Sequence, residues 1–477
     1  MTTTAESRTT LKIVALAAAG AVGGFLFGFD SSVVNGAVDP IEDQFDLSAS
    51  LTGFAVASAL IGCAVGAYAA GRIADRWGRI PAMVVGAIFF FVSAVGAGLA
   101  IGVWDLILWR LVGGLGIGIA SVIAPAYIAE ISPRLLRGRL ASLQQLAITI
   151  GIFAALLSDT LFANAAGGAG NEFWLGLEAW RWMFIAGAVP AVVYGLIAIA
   201  LPESPRFLVL KHRDDDVRKV FESLWPNEDV ERAIRDMRQA IEEDKAASQK
   251  GALSGNRFGL KPIVWVGIIL SVLQQFVGIN VIFYYSTTLW KSVGFQESDS
   301  FTISVITSVT NIAVTFVAIA LVDKIGRRPI LMAGSIGMTL SLGTMALAFS
   351  QADIVKNAPS LPGAWGPIAL VAANVFVVSF GASWGPVVWV LLGEIFPNRI
   401  RARALGVAAA AQWIANFLVT VSFPGLADVS LVLTYGIYAV FAALSFFFVL
   451  MIVPETRGMS LEEANTLFTH KRKSAKA

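Results

Sequence analysis

The chain has 477 residues, of which 56% are hydrophobic and only 14% charged, with a net charge of +2 and a mean hydropathy of +0.72. Soluble domains carry about a quarter charged residues, so this composition excludes a soluble globular protein, and the near-neutral balance gives no reason to expect a nucleic-acid partner. Two histidines and a single cysteine leave no material for a metal site or a disulfide framework, and no cofactor is expected.

Apolar runs of about 20 residues are long enough to cross a bilayer as helices. In chain order twelve such spans are predicted, at 13–36, 51–73, 80–101, 105–129, 140–163 and 181–201, then 262–288, 301–322, 329–349, 367–393, 403–424 and 431–453. The first follows a short basic leader with Arg8 and Lys12, as the apolar core of a signal peptide does. It runs on through Phe29, Asp30 and Asn35 into an acidic segment without a small-residue cleavage site, so it reads as a retained helix. Cys63, inside span two, reads as a small packing residue.

The one long polar stretch lies at 206–261, where DDDVRKVFESLW and DVERAIRDMRQAIEED place apolar residues at helical spacing among charges. Two or three short amphipathic helices are predicted there. The expected organisation is an N-terminal six-helix bundle over 1–205, this insert over 206–261, a C-terminal six-helix bundle over 262–454 and a tail over 455–477. The fold class is therefore an all-α membrane protein embedded in a lipid bilayer, expected as a monomer.

Lys and Arg between spans set orientation. They cluster at Arg72, Arg76 and Arg79, at Arg134, Arg137 and Arg139, at Lys324, Arg327 and Arg328, at Arg399, Arg401 and Arg403, and in the tail. The alternate loops are acidic or nearly uncharged, as Asp39, Glu42, Asp43 and Asp46 illustrate, and only Arg181, Lys291 and Lys356 fall there. Both termini are expected in the cytoplasm.

The two halves echo each other. Asp75-Arg76-Trp77-Gly78-Arg79 after span two returns as Asp323-Lys324-Ile325-Gly326-Arg327 after span eight, and Glu130 stands before Arg137 as Glu394 stands before Arg401. Pro202-Glu203-Ser204-Pro205-Arg206 after span six returns as Pro454-Glu455-Thr456-Arg457-Gly458 after span twelve. Such duplication is expected where a binding site lies between two rocking bundles. Carboxylates at helix ends accept bidentate hydrogen bonds from arginines and interact with helix dipoles, so these motifs are read as latches of a cytoplasmic gate. Topology alone explains the arginines but not the repeated acids.

Ionisable side chains at membrane depth are costly and mark function by default. Two are expected well inside, Asp30 in span one and Arg110 in span four, and their opposite signs suggest a pair that exchanges a proton as hydration changes. A static structural pair is the alternative. Amides and aromatics also gather: Gln144 and Gln145 in span five, Gln274, Gln275, Asn280, Tyr284 and Tyr285 in span seven, Asn311 in span eight, Trp384 and Trp389 in span ten, and Gln412, Trp413 and Asn416 in span eleven. Neutral amides pair with hydroxyls and aromatic faces suit the C–H side of a sugar ring, so the set reads as a polyol site. The run Gly114-Leu115-Gly116-Ile117-Gly118 is close helix packing, not a dinucleotide loop, because no strand precedes it. Gly385 and Pro386 are expected to kink span ten.

With these residues in view, the chain resembles the sugar porter family of the major facilitator superfamily over essentially its full length. The matching stretches are GRIADRWGR at 71–79, PAYIAEISPRLLRGRL at 125–140, PESPRFL at 202–208, QQFVGINVIFYYS at 274–286, VDKIGRR at 322–328, SWGPVVWVLLGEIFPNRIRARA at 383–404, QWIAN at 412–416 and PETRG at 454–458. The resemblance implies twelve helices in two pseudo-symmetric halves and alternating access. It implies sugar-binding amides at Gln145, Gln274, Gln275, Asn280 and Asn311, and aromatics at Phe27, Phe380, Trp389 and Trp413 with Gln412 and Asn416 nearby. It assigns Glu130, Arg137, Glu394 and Arg401, with Arg79 and Arg327, to the cytoplasmic latch. Proton-coupled relatives carry an aspartate matched by Asp30 and an arginine matched by Arg110, whereas mammalian facilitative glucose transporters carry asparagine at the first position; some bacterial facilitators also retain the acid.

Three departures matter. Gly187 stands where some relatives have a second acid in span six, Gly381 where facilitative mammalian members have a glutamate, and Ile152 where xylose-specific bacterial relatives have a glutamine. The expectation is proton-coupled import of glucose or a similar hexose, with xylose, arabinose and myo-inositol open and a uniporter on the same scaffold as the alternative. The short tail argues against a sugar sensor, and no nucleophile–base pair suggests an enzyme. A bacterial cytoplasmic membrane is the expected location.

Overall fold

The computed structural model describes residues 2–132, 137–225, 229–249, 253, 259–355, 358–396 and 400–457. Among them twelve helices are long and apolar enough to cross a membrane. The first six are Leu11–Gly36, Ala49–Trp77, Arg79–Gly98, Val103–Ile131, Leu143–Ala166 and Ala179–Ala200. The second six are Pro262–Tyr284, Glu297–Val322, Arg327–Phe349, Trp365–Ile395, Arg403–Val429 and Leu431–Met451. We number these spans one to twelve. They fall where the apolar runs predict them because lipid offers the backbone no hydrogen-bond partner, which leaves the helix as the only open-ended solution for each run.

Local signals fix several ends. The Ser48 hydroxyl accepts the Leu51 N–H at the start of span two, Ser430 does the same for Leu433 at span twelve, and Pro262 opens span seven. Side-chain volume then decides which spans touch. Spans two and four meet so closely that a Cβ at Gly114 would lie 2.0 Å from the Ala59 carbonyl oxygen, and one at Gly118 2.2 Å from that of Cys63. The glycine run is thus the close helix packing expected of it, and Cys63 is a buried free thiol.

Spans one to six form one half and spans seven to twelve the other. Between the halves, span two packs on span eleven and span five on span eight. Two spans are broken. Span seven consists of Pro262–Phe276 and Ile279–Tyr284, with Gly278 at φ 81° in the gap, followed by a helix over Ser286–Ser292. Span ten consists of Trp365–Gly381 and Trp384–Ile395, parted at Ala382 and Ser383 just ahead of Gly385 and Pro386. A proline near a helix start withholds the N–H that would continue the ladder backwards.

Helices over Pro205–Leu210, Asp214–Leu224 and Val230–Gln249 occupy the predicted insert. Their apolar faces meet through Leu208, Val209, Val217, Phe221, Ile234 and Ile241. The insert and the repeated motifs share one end of the molecule, called here the motif end. At the opposite end two short hairpins, Glu172–Trp174 with Leu177–Glu178 and Asp353–Val355 with Ala358–Ser360, join span five to six and nine to ten. Neither was expected from hydropathy, since such short strands leave no periodic signal.

Candidate functional site

At the motif end the duplication becomes geometry. Arg79 opens span three and donates to Glu130 at 3.0 Å through Nε and 2.9 Å through a terminal nitrogen, while Ser204 donates to the same carboxylate. Arg327 opens span nine and donates to Glu394 at 3.1 and 2.8 Å, and Thr456 donates to it at 2.5 Å. Glu203 accepts the backbone N–H groups of Arg79 and Ile80 at 3.0 and 3.2 Å, and Glu455 those of Arg327 and Arg328 at 3.0 Å each. Each of these acids therefore caps the positive end of a helix dipole. Gly78 and Gly326 stand at φ 111° and 108°, and a Cβ there would lie 2.3 Å from Glu203 and 2.8 Å from Glu455, so the tight cap requires glycine.

Burial raises the Glu455 carboxyl, but the N–H donors of Arg327, Arg457, Arg328 and Thr456 outweigh it and hold the group below its ordinary value. Asp75 is an exposed partner of Arg79 at 3.5 Å. Arg206 lies in the helix Pro205–Leu210, half-buried. Arg137 and Arg401 open the helices Arg137–Ala166 and Arg401–Val429, and Asp323 lies in the last turn of span eight's helix; their side chains lie outside the description.

Within the spans, nearer the end opposite the motifs, Arg110 and Asp30 are both buried and paired. One terminal nitrogen of Arg110 donates to the Asp30 carboxylate and to the Asp30 carbonyl, at 3.1 Å each. The Arg110 Nε is buried without a partner, and the guanidinium lies 5.8 Å from the Phe184 ring. A small void beside the pair is lined by Leu26, Phe29, Asp30, Phe90, Phe184 and Gly187. A second, lined by Phe27, Ser31, Cys63, Arg110 and Tyr284, lies where the halves meet.

The expected binding residues gather mainly on the second half. Asn280 donates to Gln275 at 2.7 Å across the break in span seven, and Gln274 donates to the Trp384 and Gly385 carbonyls at 2.8 and 3.2 Å, joining the two broken spans. Tyr284 of span seven is buried and lines the second void together with Phe27 and Ser31 of span one. Phe27 meets Trp413 edge to face with centroids 5.6 Å apart, an aromatic contact across the halves. Asn311 is buried facing Gly381, and Phe380 packs over Gly385. Gln145 and Gln412 are half-buried, the latter with an unpartnered carbonyl oxygen. Trp389 stands apart, 42% exposed on Trp384–Ile395.

Two features escaped sequence reasoning. At the end opposite the motifs, Asn35 donates to the Thr287 hydroxyl at 2.8 Å and accepts the Thr287 N–H at 3.0 Å. Nearby, Thr288 and Lys291 donate to Asp39 at 2.5 and 2.6 Å, and Ala169 N–H donates to Glu297 at 3.0 Å. These bonds tie the halves together. Burial pulls the Lys291 ammonium down, but Asp39 more than offsets it, leaving the group above its ordinary value. The signal was an acid and a lone cation on the same side of the membrane. The expectation of two ionisable groups deep in the spans is also too few. Asp159 in span five is fully buried, near the end of a long apolar run, whereas Arg181 is buried at the very start of span six against the carbonyls of Gly98 and Ala100.

The arrangement matches known proteins closely. The family model described as "Sugar (and other) transporter" matches residues 16–468. The glucose transport protein of Synechocystis is 53% identical over 96% of this chain and 98% of its own length, and the D-xylose-proton symporter of Escherichia coli 34% identical over 94% of each. A solved structure of the E. coli xylose transporter, described as partially occluded and inward open, superposes with a TM-score of 0.81 at 32% identity, covering 94% of this chain and 99% of that one. Twelve spans in two matched halves, the doubled latches and these likenesses lead to one conclusion: the chain belongs to the sugar porter family of the major facilitator superfamily, a membrane transporter and not an enzyme.

Proposed function

We propose that the protein imports a monosaccharide, glucose or a similar hexose first, together with a proton. It works by alternating access in a bacterial cytoplasmic membrane, as a monomer with both termini in the cytoplasm. The motif end then faces inward, and the Asn35–Thr287 contacts close the outer mouth. One observation carries the coupling: Arg110 holds the buried Asp30 carboxylate through a single nitrogen while its Nε goes unpartnered. A pair held at one point separates more readily than a bidentate one. Protonation of Asp30 releases Arg110, and ionisation recaptures it. The uncharged amides of spans seven, eight and eleven suit hydroxyls and supply no positive charge to balance an anion.

The test is radiolabelled uptake of hexoses, pentoses and inositol in cells expressing the protein, with and without a protonophore. Accumulation of a hexose that the protonophore abolishes is expected. Equilibration that the protonophore leaves unchanged identifies a uniporter and ends the symport reading.

A further inference from the structure

Asp159 is a fully buried carboxyl group that sugar–proton coupling at Asp30 does not use. One of its oxygens accepts the Gly36 N–H at 3.3 Å; the other is buried without a partner. Charged groups on the elements packed around it are engaged elsewhere or exposed, as Glu172 of the hairpin against span five is. Asp30 of span one is held by Arg110 of span four at 3.1 Å, and Asp105 of span four accepts the Ile101 N–H at 3.1 Å. Arg181 of span six pairs with Glu178 at 2.5 Å, Glu297 of span eight accepts the Ala169 N–H at 3.0 Å, and Asp299 is exposed. Asp39, beyond the end of span one, pairs with Lys291 at 2.6 Å. Among the described residues, Gly36 N–H is therefore the hydrogen-bond donor to Asp159.

An ionised carboxylate in such surroundings, with one neutral donor, is far costlier than the neutral acid. The site is also placed to sense movement. Gly36 belongs to the turn Val33–Gly36, and a Cβ there would lie 2.9 Å from the Asp159 Cβ, so the turn docks directly on the acid. The residue before it, Asn35, makes the double bond to Thr287 that closes this end. The same turn thus covers Asp159 and carries the tie between the halves.

We propose that Asp159 is a second proton-binding site, occupied when the mouth at the Asn35–Thr287 end is closed and vacated when that mouth opens and water reaches the carboxylate. Proton binding here biases the conformational equilibrium by the pH on that side; the proton returns to the side it came from, so it is not cotransported. The closed form holds one more proton, so the closed-to-open ratio falls as pH rises, by up to about tenfold per unit. The inference rests on the alternating access proposed above but not on coupling at Asp30.

The test reads the mouth directly. In the full-length chain with Cys63→Ala, spin labels at Ser50→Cys and Ser298→Cys sit at exposed positions on opposite halves at this end. Their separation in lipid nanodiscs is measured by double electron–electron resonance from pH 5 to pH 8. The parent should gain a longer-distance population as pH rises, Asp159→Asn should keep the short distance throughout, and Asp30→Asn should retain the pH response. An Asp159→Asn profile that tracks the parent, or a parent that does not respond to pH, overturns the proposal. Should Asp159→Asn fail to fold, infrared spectra of Asp30→Asn decide: a buried protonated-carboxyl band at pH 7 is expected, and its absence refutes the site.

Discussion

Arg79 donates two hydrogen bonds to Glu130, at 3.0 and 2.9 Å, and the second half repeats the contact between Arg327 and Glu394 at 3.1 and 2.8 Å. Both pairs lie within a half, so each fastens the ends of neighbouring spans into one rigid body. That rigidity is what allows the halves to rock as units.

Replacing Glu130 by Ala leaves a buried guanidinium short of its acceptor, which costs about 2–3 kcal/mol. The same change at Glu394 should cost a similar amount, because the two sites are built alike. Thermal unfolding of the purified protein in detergent checks both. A variant as stable as the parent would show that the latch is ornamental.

Glu455 holds its cap through ionisation. Its lowered value means that the stabilisation is fully present above the ordinary carboxylate range and fades as pH falls below that range through the folded value. Glu455→Gln should therefore flatten the acid limb of the stability-against-pH curve. An unchanged acid limb contradicts the capping role.

At the other end, Asp39 joins Thr288 and Lys291. Asp39→Asn removes the charge and weakens the closed mouth by about 1–2 kcal/mol, which moves a two-state population roughly five- to thirtyfold. Because Lys291 is held above its ordinary value, this tie persists through neutral pH and is lost only as pH rises through the folded value. Labelling of outer-mouth cysteines should quicken in the variant; equal labelling rates would count against the tie.

Among the described residues Asn311 is buried with no side-chain hydrogen bond between spans, whereas Gln274 ties span seven to span ten. Asn311→Ala should raise the apparent KM for sugar about two- to tenfold with little loss of stability, the worth of one neutral hydrogen bond. Gln274→Ala should lower stability as well. Uptake kinetics alongside thermal unfolding separate the two, and an unchanged KM in Asn311→Ala removes that residue from the site.

The spans were legible because lipid imposes a length and an apolarity that few other structures share. The doubled motifs were legible as repeats, yet the partner of Glu130 was not: the start of span three and the end of span four meet only in three dimensions, and spacing along the chain points to Arg137 instead. Asn35 and Thr287 are separated by six spans of chain and carry no common pattern. Asp159 lies inside the span predicted at 140–163, but no basic residue in the neighbouring spans marks it as one of a pair, as Arg110 marks Asp30. Gly278 breaks span seven through a positive φ that hydropathy does not register.

In the proposed mechanism Asp30 links sugar movement to protons. In sealed vesicles with an imposed pH gradient, Asp30→Asn should lose accumulation of sugar above equilibrium while exchange between equal pools continues. Undiminished accumulation in that variant would contradict it.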